Sequence, residues 1–130
     1  CGPTCEVWGL YTADENGGGQ QLLLADPSAT APVWSPDGAW VSFMSNRDGN
    51  WELYAVRADG MGLRRLTNGA EHDGIPAWSP DGRWIAFLSH RSGEWGVYAL
   101  PLEPKGQLQL VALVPGDYPD WMQEQLAWVP

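Results

Sequence analysis

The chain has 130 residues, nine of them Trp, sixteen Gly and eleven Pro, and 18% are charged. That length suits one domain with a modest core, and high aromatic content with scattered Pro excludes a coiled coil, a collagen and an acidic disordered tail. Seven Lys plus Arg against sixteen Asp plus Glu give a formal charge of −9, which repels nucleic-acid phosphates and anionic lipid, and apolar runs as short as Leu22 to Ala25 predict neither a membrane span nor a signal-peptide core.

Taken in chain order, residues 1–5 read as an arm whose two cysteines, Cys1 and Cys5, are too few and too terminal for a disulfide framework or a four-ligand zinc site. Strands are then expected at Glu6 to Thr12 and Gln20 to Leu24, separated by the Gly17-Gly18-Gly19 turn, which lacks the Lys and Ser or Thr of a phosphate loop. A strand ending at Trp34 runs into Ser35-Pro36-Asp37-Gly38, where Pro presets φ and Gly accepts the positive φ of a tight hairpin. The partner strand, Trp40 to Ser45, carries apolar residues on both faces, as a sheet covered on each side requires. A turn over 46–50 leads to Trp51 to Arg57, rich in aromatic and branched residues, and then to a short, charged outer strand, Leu63 to Thr67. The series repeats: a strand ending at Ala77-Trp78-Ser79, the Pro80-Asp81-Gly82 turn, Trp84 to Ser89, a turn over 90–94, Trp95 to Leu100 and Leu108 to Ala112. The chain closes on expected strands at Tyr118 to Met122 and Gln125 to Val129.

Three landmarks share one period. Pro32-Val33-Trp34-Ser35-Pro36-Asp37-Gly38 returns after 44 residues as Pro76-Ala77-Trp78-Ser79-Pro80-Asp81-Gly82, and weakly, after a further 43, as Pro119-Asp120-Trp121. Trp8-Gly9-Leu10-Tyr11, Trp51-Glu52-Leu53-Tyr54 and Trp95-Gly96-Val97-Tyr98 keep the same spacing, and Leu23, Leu66 and Leu110 follow each Tyr by twelve residues. Four short antiparallel strands at such a period, each sheet too small to stand alone, describe the blades of a β-propeller. The third copy lacks the Pro-Asp-Gly turn, so its hairpin must differ in shape.

The run WSPDG, then WIAFLS, then SxRxG, then WxLY or WxVY resembles the TolB-type propeller repeat, which is also found in the propellers of prolyl-oligopeptidase-like peptidases; the resemblance covers nearly all of residues 6–130. The expected fold is therefore all-β, with three four-stranded blade equivalents: intact blades over about 31–67 and 75–112, and one blade split into halves at 6–24 and 118–130. Because three blades would need steep wedging to close, the expectation is either a homodimer sharing its terminal half blades in a six-bladed ring, or a segment of a longer propeller.

The turn residues Pro36, Asp37, Gly38, Pro80, Asp81 and Gly82 read as structural, since Asp at that place hydrogen-bonds its own backbone. Arg47 and Arg91 recur at one place and are expected to pair with a turn carboxylate. His72 and His90, the only histidines, lie in no nucleophile pattern, and no G-x-S-x-G occurs, so no catalytic residue, cofactor or metal is assigned. The Glu71-His72-Asp73 cluster has atoms for a cation but reads as solvated loop. Eight Trp at matched strand positions read as packing between blades, while Trp128 falls outside the register.

The resemblance implies that the loops from each fourth strand to the next first strand, and from second to third, gather on the channel face. Asp26, Glu71, Asp73, Asp117 and Tyr118 in the first set, and Arg47, Asp48, His90 and Arg91 in the second, are the candidate partner-binding residues with His72. Their acidity points to a basic peptide or a cation. The expected function is a non-enzymatic protein- or peptide-binding scaffold; the alternatives are the propeller segment of a larger hydrolase or lyase, or a calcium- or sugar-binding module. The compartment is not legible from the residues, and only the resemblance favours a periplasmic or secreted protein.

Overall fold

The computed structural model describes residues 7–102, 107–114 and 126–128, and assigns β-strands and no helix among them. The strands are β1 (Leu10–Thr12), β2 (Gln21–Leu24), β3 (Thr30–Trp34), β4 (Trp40–Ser45), β5 (Glu52–Arg57), β6 (Arg64–Arg65), β7 (Asp73–Trp78), β8 (Trp84–Ser89), β9 (Gly96–Pro101) and β10 (Gln109–Leu113). They form a β1–β2 pair and two four-stranded sheets in chain order, β3 to β6 and β7 to β10, with every neighbour antiparallel. Each sheet is one propeller blade.

The second strands β4 and β8 have the bounds expected from sequence. Their alternation shows why both faces are apolar. Val41 and Phe43 join Leu10, Tyr54 and Val56 in a core facing Leu23, Leu24 and Ala29 of the β1–β2 side. Met44 instead joins Leu53, Ile75, Trp78, Ile85 and Phe87 in the core between the two full sheets. Side chains alternate across a strand, so a sheet gripped on both faces reads as an unbroken apolar run.

The hairpin turns repeat atom for atom. Ser35 and Ser79 accept an amide from Gly38 and Gly82 at 2.9 Å, and those glycines have a φ of 71°. Asp37 and Asp81 each accept the amide two residues on, from Ala39 and Arg83, at 3.0 Å, and the hydroxyl of Ser35 or Ser79 at 2.6 Å.

Four strands are shorter or shaped otherwise than expected. β1 begins at Leu10, where the register shifts; Glu6 and the arm 1–5 lie outside the described residues. β6 is only Arg64–Arg65, because the Thr67 hydroxyl, not a backbone carbonyl, accepts the Leu53 amide at 3.0 Å and ends the ladder. First strands carry a bulge that spacing did not show: Ala31 and Ile75, 44 residues apart, have φ of 52° and 58° and sit at register shifts before Pro32 and Pro76.

Trp128 is a correction. The Trp78 indole N–H donates to the Val33 carbonyl at 3.3 Å and to the Ser42 hydroxyl at 2.8 Å, pinning the second blade to the first. The Trp128 indole donates to the carbonyl of Ala77, the residue 44 after Val33, at 2.9 Å. Trp128 therefore holds against the second blade the place that Trp78 holds against the first. Leu126-Ala127-Trp128-Val129-Pro130 aligns with Pro76-Ala77-Trp78-Ser79-Pro80, and residues 126–128 are not part of a second-type strand. The period lengthens here to 50 residues, whereas a spacing of 43 leads from Trp78 to Trp121, which lies with Tyr118 outside the described residues.

Candidate functional site

The loops that join fourth to first strands and second to third strands meet at one end of the sheets, opposite the Pro-Asp-Gly turns. The contacts that bring them together are specific. Asn50 Nδ2 donates to the carbonyls of Gly69 and Glu71 at 3.0 and 2.8 Å, the Trp51 amide donates to His72 Nδ1 at 3.4 Å, and the Ser28 and Ser45 hydroxyl oxygens lie 2.7 Å apart, both donating to Asp26. Each loop is thus tied to the sheet beneath it.

Two carboxylate, serine and arginine sets recur here. Asp26 is 4% exposed and accepts the hydroxyls of Ser28 and Ser45, both at 2.7 Å, with Arg47 3.8 Å away. Burial opposes its charge, but the Ser45 and Ser28 hydroxyls, the Ser28 amide and Arg47 outweigh that and hold the carboxyl below its ordinary value. Asp73 is fully buried and takes Arg91 Nη2 at 2.6 Å, while Arg91 Nε donates to Ser89 at 3.0 Å. Arg47 lies over the Tyr54 ring and Arg91 over Phe87 and Tyr98. Arg47 and Arg91, expected to pair with a turn carboxylate, instead face Asp26, in the loop before β3, and Asp73, which opens β7, and the closer pair is Arg91 with Asp73.

Burial divides the candidate residues. Asp26 and Asp73 point into the protein; Glu71, His72 and Asp48 face solvent, and half-exposed His90 stands with Nδ1 3.7 Å from Glu71. Asp48 accepts the Tyr54 hydroxyl and lies 3.9 Å from Arg65. Burial first, and then the Asp48 bond and charge, push Tyr54 up to about 12. Asp117 and Tyr118 lie outside the described residues. A shallow pocket of 380 Å³ is lined by Ala25, Asp26, Pro27, Ser28, Asn46 and Arg47. Among the described residues no three His, Cys, Asp or Glu side chains converge as metal ligands.

Glu52 is the residue that motif reading missed. It is fully buried, and accepts the Gly69 amide at 2.8 Å, Arg65 Nη2 at 3.2 Å, Asn50 Nδ2 at 3.3 Å and the Thr67 hydroxyl. Burial is the largest influence and opposes its charge, but those donors together hold it below the ordinary carboxylate value. Its signal was a break in the repeat, since Gly9 and Gly96 hold the matching places. A Cβ at Gly9 would come 2.1 Å from the Leu24 carbonyl, and one at Gly96 3.0 Å from the Tyr98 ring. The early end of β6 gives position 52 the room those sites lack.

A family model described as the TolB beta propeller domain matches residues 11–124. The chain belongs to the TolB β-propeller family. An uncharacterised protein of Agrobacterium fabrum is 34% identical over 74 residues, 56% of this chain and 25% of that protein. The Tol-Pal system protein TolB of Anaeromyxobacter sp. (strain K) is 41% identical over 61 residues, 46% of this chain and 14% of that protein. The chain thus spans a quarter or less of these curated relatives. Among solved structures, a putative TolB from Agrobacterium tumefaciens superposes with a TM-score of 0.72 at 26% identity, over 83% of this chain and 42% of that one. An oligogalacturonate lyase in complex with manganese superposes at 0.65 and 19% identity, over 80% of this chain and 30% of that one; at that identity the likeness is one of fold. A puromycin-hydrolyzing peptidase of Mycobacterium tuberculosis superposes at 0.61 and 20% identity, over 79% of this chain and 16% of that one, again a likeness of fold. No helix among the described residues is long and apolar enough to cross a membrane.

Proposed function

We propose that this TolB-type propeller chain is a non-enzymatic scaffold that binds a basic peptide or protein segment through the loops at this end of the sheets, in a compartment outside the cytoplasm, as the family resemblance favours. The observation that carries the reading is the fixing of loop 68–72. Asn50 and Glu52 hold its backbone at Gly69 and Glu71 while the Glu71 side chain remains exposed. A loop already held in one shape loses little entropy when a partner docks, and loops on a rigid scaffold are where binding arises most readily. A formal charge of −9 supports a cationic partner.

Titration of the chain with an Arg- and Lys-rich peptide, followed by tryptophan fluorescence, tests this. Binding should weaken with salt and fall about fivefold in Glu71→Lys, a reversal of exposed charge. Saturation that ignores both salt and Glu71→Lys overturns the reading, as does no binding at all. The likeness to lyase and peptidase propellers supports a second reading, in which the chain is the propeller segment of a larger hydrolase or lyase. A parent reading frame that encodes a catalytic domain after these blades would decide for it.

A further inference from the structure

Glu52 and Asp73 are two fully buried carboxyl groups from neighbouring blades, one opening β5 and the other opening β7, and Asp73 is anchored there by its amide, which donates to the Trp51 carbonyl at 2.8 Å. Their partners are unequal. Glu52 Oε1 takes the Gly69 amide, Arg65 and Asn50, and Oε2 takes only the Thr67 hydroxyl, which leaves Oε2 an open lone pair. Asp73 Oδ2 takes Arg91, while Asp73 Oδ1 is buried with no donor facing it. A bare anionic oxygen in that position is costly, and a proton on it removes the cost by turning an acceptor into a donor.

We propose that Asp73 carries a proton on Oδ1 and donates it to the Glu52 carboxylate, so that a carboxyl–carboxylate pair clamps the second blade to the first beneath loop 68–72. The other groups around the pair agree with this placement. Arg65, the last residue of β6, faces Glu52, and Arg91 beyond β8 faces Asp73 Oδ2; Ser89 at the end of β8 brings a neutral hydroxyl to the Asp73 carboxyl. Asp48 lies on the far side of Arg65, and Glu71 and His90 face one another in the solvated layer above. His72 receives the Trp51 amide. Burial, the largest influence, raises the Asp73 carboxyl; Ser89 and Arg91 pull it down, and the Glu52 charge pushes it up again. Glu52 moves the opposite way, so the two carboxyls divide into one acid and one anion.

The sign follows. A carboxyl raised in the folded state lends stability below its ordinary value, and that stability is lost as pH rises through the folded value. The clamp therefore loosens as the solution becomes more alkaline, and loop 68–72, which hangs on Glu52 through Gly69, loosens with it. This holds whether or not the loop binds a peptide.

Infrared difference spectra and thermal unfolding of the 130-residue chain test it together. At pH 6 the parent should show a protonated-carboxyl C=O band that is absent from Asp73→Asn, whose amide N–H replaces the acid proton. Between pH 4 and pH 8 the melting temperature of Asp73→Asn should gain on the parent by about 4 °C. Asp73→Asn keeps the donor, so it folds where Asp73→Ala would not; Glu52→Gln should also remove the band, because Asp73 then ionises toward an amide donor. A parent spectrum without the band, a band that persists in Asp73→Asn, or melting curves that run parallel across the pH range would each overturn the proposal.

Discussion

Ala31 and Ile75 are the residues at which local preference and fold disagree. Both adopt the left-handed region before a proline, and Ile75, β-branched, is the more strained. The structure tolerates this because the bulge places the strand's later residues, Val33 and Trp34 or Ala77 and Trp78, back in register with β4 and β8. Ile75 is also 5% exposed and belongs to the inter-blade core, so its side chain offsets its backbone. Ala31 brings only a methyl. Replacing Ala31 by Gly relieves about 1–2 kcal/mol of left-handed strain and gives back about 0.5–1 kcal/mol in unfolded-chain entropy, so the variant should be about 0.5 kcal/mol more stable in urea unfolding. A variant less stable than the parent would show that the methyl contact outweighs the strain.

At the scale of the element, the hairpins were legible and the bulges were not. The bounds of β4 and β8 could be read because a turn with a chemical mechanism precedes each and a Ser-x-Arg-x-Gly turn follows. Nothing in Thr30-Ala31-Pro32 or Gly74-Ile75-Pro76 marks positive φ at the middle residue, where Gly or Asn would be usual. Glu52 was hidden for a different reason: the repeat drew attention to what matched, Trp51 and Leu53, and away from what did not. Trp128 was hidden by a period taken as constant. The turns themselves carry a pH signature. The Ser35 and Ser79 hydroxyls, then the Ala39 and Arg83 amides, hold Asp37 and Asp81 below their ordinary value. A carboxyl lowered in the folded state lends stability above its ordinary value, lost as pH falls through the folded one. The pair Asp37→Ala and Asp81→Ala should therefore melt below the parent at pH 7, and that gap should close as pH drops well under about 4. A gap that stays constant with pH would mean the turns depend on shape alone.

For the whole molecule, the question is what covers the first blade's outer side. Trp78 and Trp128 each donate across a blade boundary, whereas Trp34, the same tooth one blade earlier, is 50% exposed. Trp8 at 71% and Tyr11 at 52% are exposed as well, on or next to β1, one edge of which pairs with no described strand. Open strand edges with apolar neighbours recruit other chains. The 130-residue chain should associate through this surface, with a mass that rises with concentration toward at least twice 14.3 kDa in light scattering. Trp34→Arg, which places a charge on the tooth without touching either sheet's core, should return it to a single-chain mass and leave the melting temperature within about 2 °C. A parent chain that stays monodisperse at 14.3 kDa across a hundredfold concentration range, as about two decades would normally expose a micromolar equilibrium, would show that this face is stable in water as it stands.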